Sequence, residues 1–357
     1  MHKGAGRAHV RALFIFEARP ELKSYLSAGL ADCPGLELVF PEPAEEGEYL
    51  RLAPSAELLV GWRPTEALLE AAARMRLFIC PAVGVQHLVE PFRKLAESRG
   101  VILANGHGNT YFTAQHAVAM LLALTNRIIP FHNEMAAGVW NRHGDSPASV
   151  PMRGIKIGLL GYGAVNRKVH KFLSGFDVEF IVCTRRGSGA ERARHHSYTA
   201  FDDAPPPAPA RWFAADKLHE FLDAVDILVC ALPSTSETRG IIGARELALL
   251  GPSGLLVNVG RGDVIQEAAL YESLRDGKIA GAAIDVWYDY TPKPDARGKT
   301  FPASYPFYEL KNVVLSPHRA ASPLADLRRW DEVIENIRRF AAGRTDLLNI
   351  VNLERGY

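Results

Sequence analysis

"IKIGLLGYGAVNRKVHKF" runs from Ile155 to Phe172. An apolar run ends in Gly161 and Gly163, and a helix-like pattern follows at once. A strand that turns sharply into a helix aims the helix's free N–H groups at the turn, which is how a pyrophosphate is cradled. Gly161 permits the turn, and Gly163 lets the backbone approach a phosphate closely. The third position of the G-x-G-x-x-G pattern mainly serves close helix–strand packing. Here it is Asn166, whose side chain offers amide hydrogens that we expect to point at a phosphate. The segment therefore predicts a dinucleotide loop built from Gly161, Tyr162, Gly163, Ala164, Val165 and Asn166.

The pattern alone is weak, and its surroundings strengthen it. From Gly154 onward, "KIGLLG", "VEFIVCT", "DILVCAL", "GLLVNVG", "AGAAIDV" and "NVVLSP" alternate with helical stretches. Six strands suffice for one complete dinucleotide-binding sheet. The proline-rich run "DDAPPPAPAR", Asp202 to Arg211, reads as an extended surface loop within the series. Upstream, "VRALFIF", "AELLVGW", "LFICPA" and "GVILAN" form an earlier strand–helix alternation. An Ala-, Leu- and Met-rich helix, roughly Thr113 to Pro130, joins the two series, and a last helix spans about Leu324 to Ala342.

At 357 residues the chain exceeds what one core usually spans. The expected fold is α/β, with two Rossmann-like domains built on doubly wound parallel sheets. The tail after the second sheet is expected to return to the first domain. That places residues 1–112 and 320–357 in one domain and 113–319 in the dinucleotide-binding one.

Charge excludes some partners. Lys plus Arg number 41 against 40 for Asp plus Glu, so no global field favours nucleic acid or an anionic membrane. The four cysteines, Cys33, Cys80, Cys183 and Cys230, form no C-x-x-C pair. We expect reduced thiols, no disulfide framework and no metal site. "MHKGAGRAHV" has no apolar signal core, and "AVAMLLAL" (Ala117 to Leu124) is too short to span a bilayer. A soluble cytoplasmic protein is expected.

The second strand of the series bears on which dinucleotide is bound. An acid there would hold the ribose hydroxyls of NAD. This strand instead ends in Thr184, followed by Arg185 and Arg186. A hydroxyl and two guanidinium groups suit a 2′-phosphate that a carboxylate would repel. NADP(H) is therefore the expected preference, with NAD(H) use possible.

From Cys230 to Trp287 the chain resembles the signature region of the D-isomer-specific 2-hydroxyacid dehydrogenases. "NVVLSPHRA" (Asn312 to Ala320) resembles their histidine motif, "CPAVGVQHL" their substrate loop, and "NTYFTAQHAVAMLLAL" their interdomain helix. The resemblance covers nearly the whole chain. It implies a substrate-binding and a dinucleotide-binding domain, an active site in the cleft between them, and a homodimer formed largely through the latter. Residue by residue, it makes Arg261 the group that grips the substrate carboxylate and carbonyl, and His318 the general acid/base. Asp285 would contact the nicotinamide amide. The Val83 and Gly84 N–H groups would hold the carboxylate, and Asn109 would stand in the cleft. Cys230, Leu232, Pro233, Thr238, Val259 and Gly260 would join the cofactor surface.

Elementary chemistry agrees with these roles. Reducing a 2-keto acid needs a hydride at the carbonyl carbon and a proton at its oxygen. An imidazolium titrating near neutrality supplies the proton, and a guanidinium binds a planar carboxylate in fork geometry. One departure stands out. Where the family usually places a glutamate that pairs with the histidine, this chain has Tyr290, and Asp289 beside it is a candidate substitute. Without that acid, keto-acid reduction should fade sooner as pH rises. Related formate dehydrogenases carry glutamine there, which this chain lacks, so formate oxidation is not expected. Glyoxylate or hydroxypyruvate is the expected substrate type. The alternative is a dinucleotide-sensing protein like the corepressor branch that shares the fold, with little turnover.

Overall fold

The computed structural model describes residues 9–142, 148–187, 206–321 and 325–357. They form two compact units. The first holds the described residues up to Asn109 and those from 325 onward, and the second those from Thr110 to 321.

The first unit is built on five parallel strands: β1 (Val10–Phe14), β2 (Leu36–Val39), β3 (Leu58–Val60), β4 (Leu77–Cys80) and β5 (Ile102–Asn105). Their order is β2-β1-β3-β4-β5, with every pairing parallel. The helices are α1 (Pro20–Gly29), α2 (Glu46–Leu52), α3 (Glu66–Ala71), α4 (Gln86–Arg99) and, from the end of the chain, α11 (Asp331–Ala341). Side chains alternate across a strand, so each strand feeds two cores. Val10, Ala12 and Phe14 pack with α1 and α11 residues such as Leu26 and Ile337, while Leu13 packs with Leu68 of α3 and Phe92 of α4.

Local chemistry sets the helix ends. Pro20 opens α1, where its fixed φ suits the first helical position and its missing N–H is not needed. The Thr65 hydroxyl accepts from the Leu68 N–H at 3.1 Å and caps α3. Gly100 ends α4 in the left-handed region, at φ 65°.

The second unit carries seven parallel strands: β6 (Lys156–Leu160), β7 (Glu179–Thr184), β8 (Arg211–Ala214), β9 (Ile227–Cys230), β10 (Leu255–Asn258), β11 (Gly281–Ile284) and β12 (Val313–Leu315). Their order is β12-β11-β10-β9-β6-β7-β8. The order reverses between β6 and β9, as in the doubly wound Rossmann sheet, so the loops there bound a crevice where ligands bind. One core packs α5 (Thr110–Thr125) and α7 (Ala164–Leu173) on the sheet, through Ala117, Leu121, Val169 and Leu173. The other packs α8 (Leu218–Asp223), α9 (Ala244–Leu250) and α10 (Glu267–Arg275) on the opposite face, through Phe221, Leu247 and Leu270. Truncating one of these buried leucines to alanine costs about 2–5 kcal/mol.

Three expectations need correction. The first series has a fifth strand, β2, and the second a seventh, β8. Both are edge strands whose residues are mostly half-buried, so neither shows the strong apolar run of a central strand. The joining helix begins earlier, at Thr110, and breaks after Thr125, with α6 (Ile128–Ala136) following. Residues 206–210 of the proline-rich run are irregular and not fully buried, while 202–205 lie outside the described residues. The last helix starts at Asp331 after a short 3₁₀ turn, Leu327–Trp330, and Leu324 lies outside the described residues. Among the described residues, no helix is long and apolar enough to cross a membrane.

Candidate active site

The C-terminal ends of the parallel strands of the second unit gather its predicted site residues on one edge. The glycine loop leaves β6 at the switch point. Gly161 has φ +75°, and a Cβ there would lie 2.8 Å from Leu232 Cδ2. Glycine is thus required by conformation, while the Leu232 methyl could yield to a Cβ. A Cβ on Gly163 would meet nothing within 4 Å, so the loop has an open side. Gly163 caps α7 with no side-chain acceptor on the first N–H groups. Those donors suit a pyrophosphate.

Asn166 behaves differently from the expectation. It is fully buried, and its amide nitrogen donates to Gly161 O at 2.6 Å, Leu160 O at 3.2 Å and Val229 O at 3.2 Å. Its hydrogens tie the loop to β6 and β9 and do not point at a phosphate. Tyr162 also faces inward. Its hydroxyl pairs with His170 Nδ1 at 2.8 Å, and its ring stands edge-on to Trp212 of β8. Burial pushes the His170 pKa down to about 4, so this pair is neutral.

Ala164 and Val165 form the first turn of α7. Thr184 ends β7, and Arg185 and Arg186 follow it with exposed side chains. Beyond β9, Leu232 and Pro233 line the loop, and Thr238 closes it by donating to Pro233 O at 2.6 Å. Cys230 lies beneath this edge: its thiol is buried in the core, and its carbonyl accepts the Val259 N–H at 3.1 Å. Val259 and Gly260 continue β10 toward Arg261, and a Cβ on Gly260 would lie 2.6 Å from Leu232 O.

Arg261 and His318 come from the ends of β10 and β12. The Arg261 main chain is held by Asn258, whose amide donates to Arg261 O at 3.1 Å. Its guanidinium donates to Gly260 O at 2.6 Å, and no carboxylate among the described residues forms an ion pair with it. Burial lowers its pKa, and the neighbouring Tyr290 and Asp263 act the other way. His318 adopts φ +54°. Its ring lies 5.3 Å from the Tyr290 ring, at 62°. Crowding by the protein disfavours the charged imidazole; Asp285 opposes this effect, and Arg261 adds to it. The net shift is below the ordinary histidine value.

Asp289 does not serve as the histidine's partner here. It is exposed, and its carboxylate accepts from the Thr291 N–H at 2.8 Å, capping its own turn. The carboxylate whose charge reaches His318 is Asp285 at the end of β11, which is 1% exposed. Burial works against its charge, but hydrogen bonds from His116, Ser316 and the Arg319 N–H outweigh this and hold the carboxyl below its ordinary range. Of the aromatic residues near the motif, Trp287 and Phe112 are buried and Tyr288 stacks on Phe307. Tyr290 is the one that meets His318. Sequence reasoning missed His116, since nothing in a mid-helix histidine signals what it faces.

Val83, Gly84 and Asn109 belong to the first unit, after β4 and β5. Val83 is exposed, and its carbonyl accepts the Asn105 amide at 2.8 Å. Asn109 Oδ1 is buried without a hydrogen-bond partner among the described residues, which leaves a polar atom for a ligand to satisfy.

Comparisons with known proteins agree with this geometry. Residues 118–320 match the family model "D-isomer specific 2-hydroxyacid dehydrogenase, NAD binding domain". The chain is 32% identical over 296 residues to a glyoxylate reductase of Aeropyrum pernix, covering 80% of this chain and 79% of that one. It is 29% identical over 324 residues to a D-3-phosphoglycerate dehydrogenase of Archaeoglobus fulgidus, covering 89% of this chain but only 56% of that relative's length. The chain thus spans about half of that longer protein. The crystal structure of an NADPH-dependent glyoxylate/hydroxypyruvate reductase from Sinorhizobium meliloti, in complex with NADP and malonate, superposes with a TM-score of 0.68. That pair shares 25% identity and aligns over 97% of this chain and 98% of the other. The comparisons lend no support to the sensor alternative. With the glycine loop at the switch point and the arginine and histidine on the same sheet edge, the chain belongs to the D-isomer specific 2-hydroxyacid dehydrogenase family.

Proposed function

We propose that the protein reduces a small 2-keto acid to the D-2-hydroxy acid, of the glyoxylate or hydroxypyruvate type, and prefers NADPH. The observation that carries this reading is Arg261, a half-buried guanidinium with no carboxylate partner among the described residues, in electrostatic reach of His318. Keeping an unpaired cation away from water is unfavourable. An anionic ligand relieves that penalty, and a carboxylate fits the guanidinium fork.

The bound nicotinamide supplies the hydride. Arg261 would grip the carboxylate and polarise the carbonyl, and His318 would hand its ring proton to the carbonyl oxygen. Tyr290, against the His318 ring, would border the substrate and shield the histidine from water. On the first unit, the resemblance makes the N–H groups of Val83 and Gly84 and the unsatisfied Asn109 oxygen the proposed substrate-binding groups. The cofactor would lie along Gly161–Asn166, Leu232–Thr238 and Val259–Gly260, with Asp285 at its nicotinamide end.

NADPH preference is supported by Thr184, Arg185 and Arg186 at the end of β7, where the ribose acid of an NAD site is missing. The NADPH-dependent reductase among the solved structures is consistent with it. We also propose a cytoplasmic homodimer. Helix α6 buries none of its residues, and Ile128, Ile129, Phe131, Met135, Val139 and Trp140 are all exposed, Trp140 by 75%. Such an apolar stretch suits a second copy of the chain.

The test is NADPH and NADH oxidation by the purified protein with acids from glyoxylate to phenylpyruvate. Turnover favouring NADPH, which shifts toward NADH on replacing Arg185 and Arg186 with alanine, is expected. Tight dinucleotide binding with no turnover on any 2-keto acid would refute the reading.

A further inference from the structure

The loop that carries His318 is wrapped around Asp285. The Ser316 hydroxyl donates to Asp285 Oδ1. The Arg319 N–H donates to the same oxygen at 2.8 Å, and the Ala320 N–H donates to Oδ2 at 3.2 Å. Between these donors sits His318 at φ +54°. Few residues other than glycine adopt that left-handed conformation, histidine more readily than most, and the hydrogen bonds on either side hold it there. The Trp287 indole N–H adds a strut to Ser316 O at 2.8 Å, and the Ser316 N–H donates to Ile284 O at 2.9 Å.

The remaining contact comes from α5. His116 Nε2 lies 2.9 Å from Ser316 Oγ and 3.4 Å from Asp285 Oδ1. Ser316 spends its proton on Asp285, so it accepts the N–H that His116 presents at Nε2, the ring nitrogen this direction requires to carry hydrogen. Three side chains from α5 and from the ends of β11 and β12 thus form one directed chain, His116 to Ser316 to Asp285.

We propose that His116 is a positioning residue for His318, because the bracket it completes fixes both the left-handed turn bearing the proposed catalytic histidine and the Asp285 carboxylate around which that turn is wrapped. The inference rests on His318 being the acid/base of the proposed reaction. The charged and titratable groups that act on His318 are Asp285, Arg261 and Tyr290, and those on Asp285 include His116 from α5. Asp285 thus opposes part of the burial that disfavours the His318 imidazolium, and this chain has Tyr290 where the family usually places its acid.

The experiment compares His116→Leu, His116→Gln and Ser316→Ala with the parent protein. Three readouts are followed: the pH profile of kcat/KM for keto-acid reduction, the NADPH Kd, and the His318 ring-proton titration by NMR, assigned with His318→Gln. Loosening the bracket should lower kcat about tenfold, as expected when a reacting group loses its alignment, with NADPH affinity unchanged. The His318 titration midpoint should move to lower pH as the carboxylate turns away. Gln, which can donate from a similar position, should restore most of the loss. An unmoved midpoint in His116→Leu, or in Ser316→Ala if the leucine variant does not fold, overturns the proposal. If the midpoint moves but even the parent protein turns over no 2-keto acid, the bracket stands and the proposed reaction falls.

Discussion

Replacing Tyr290 with glutamate should move the enzyme's working range to higher pH. In the parent protein, burial and Arg261 hold His318 below the ordinary histidine value, and Asp285 compensates only in part. Keto-acid reduction uses the imidazolium, so kcat/KM should fall as pH rises through the depressed His318 midpoint, sooner than for an ordinary histidine. A carboxylate near 5 Å from the imidazole, as the Tyr290 ring is now, would attract it by about 3 kcal/mol at an effective dielectric near 20. Tyr290 is 56% exposed, so solvent screening weakens this attraction, but its direction, raising the His318 pKa, is kept. The descending limb should move to higher pH, and reduction at pH 8 should gain relative to the parent protein. Initial rates of NADPH oxidation from pH 5 to 9 at fixed ionic strength measure the shift, with Tyr290→Gln as the uncharged control. If the glutamate and glutamine variants move together, or if the parent profile stays flat to pH 8, the assignment of His318 as an acid depressed by burial is wrong.

Three further outcomes follow from other contacts. Arg261→Met should leave stability unchanged or raise it by about 1 kcal/mol, because an unpaired charge is removed, while kcat/KM falls by about 10³; denaturation and steady-state rates measured together check both halves. Asn166→Gly, which restores the third glycine, should destabilise the second unit by about 2 kcal/mol, since carbonyls of Gly161, Leu160 and Val229 lose their donor; a urea midpoint equal to or above the parent's would contradict this. Ile129→Glu combined with Trp140→Ser should convert the proposed dimer to a monomer in light scattering, and a dimer that survives both changes would place the interface elsewhere.

Much of the architecture was legible because it is written locally. Apolar runs closed by glycines mark central parallel strands, and Gly161 and Gly163 mark the turn that feeds α7. The order of the motifs, from the glycine loop through Arg261 and Asp285 to His318, predicted the residues that meet at the sheet edge. The edge strands β2 and β8 escaped notice because a strand paired on one side is buried less and needs no strong apolar run.

What the sequence by itself determined, then, is the class of fold, the glycine loop at the switch point, and the place of Arg261 and His318 at the strand ends. The tertiary structure alone decided where the polar side chains point. Asn166 turns inward to three carbonyls, Asp289 caps its own turn, and Asp285 becomes the carboxylate that acts on His318. His116 reaches Ser316 only because α5 packs across the strands that end in Asp285 and Ser316. A hydrogen bond depends on angstrom-scale placement of groups far apart in the chain, and no periodicity or spacing along one sequence encodes that distance.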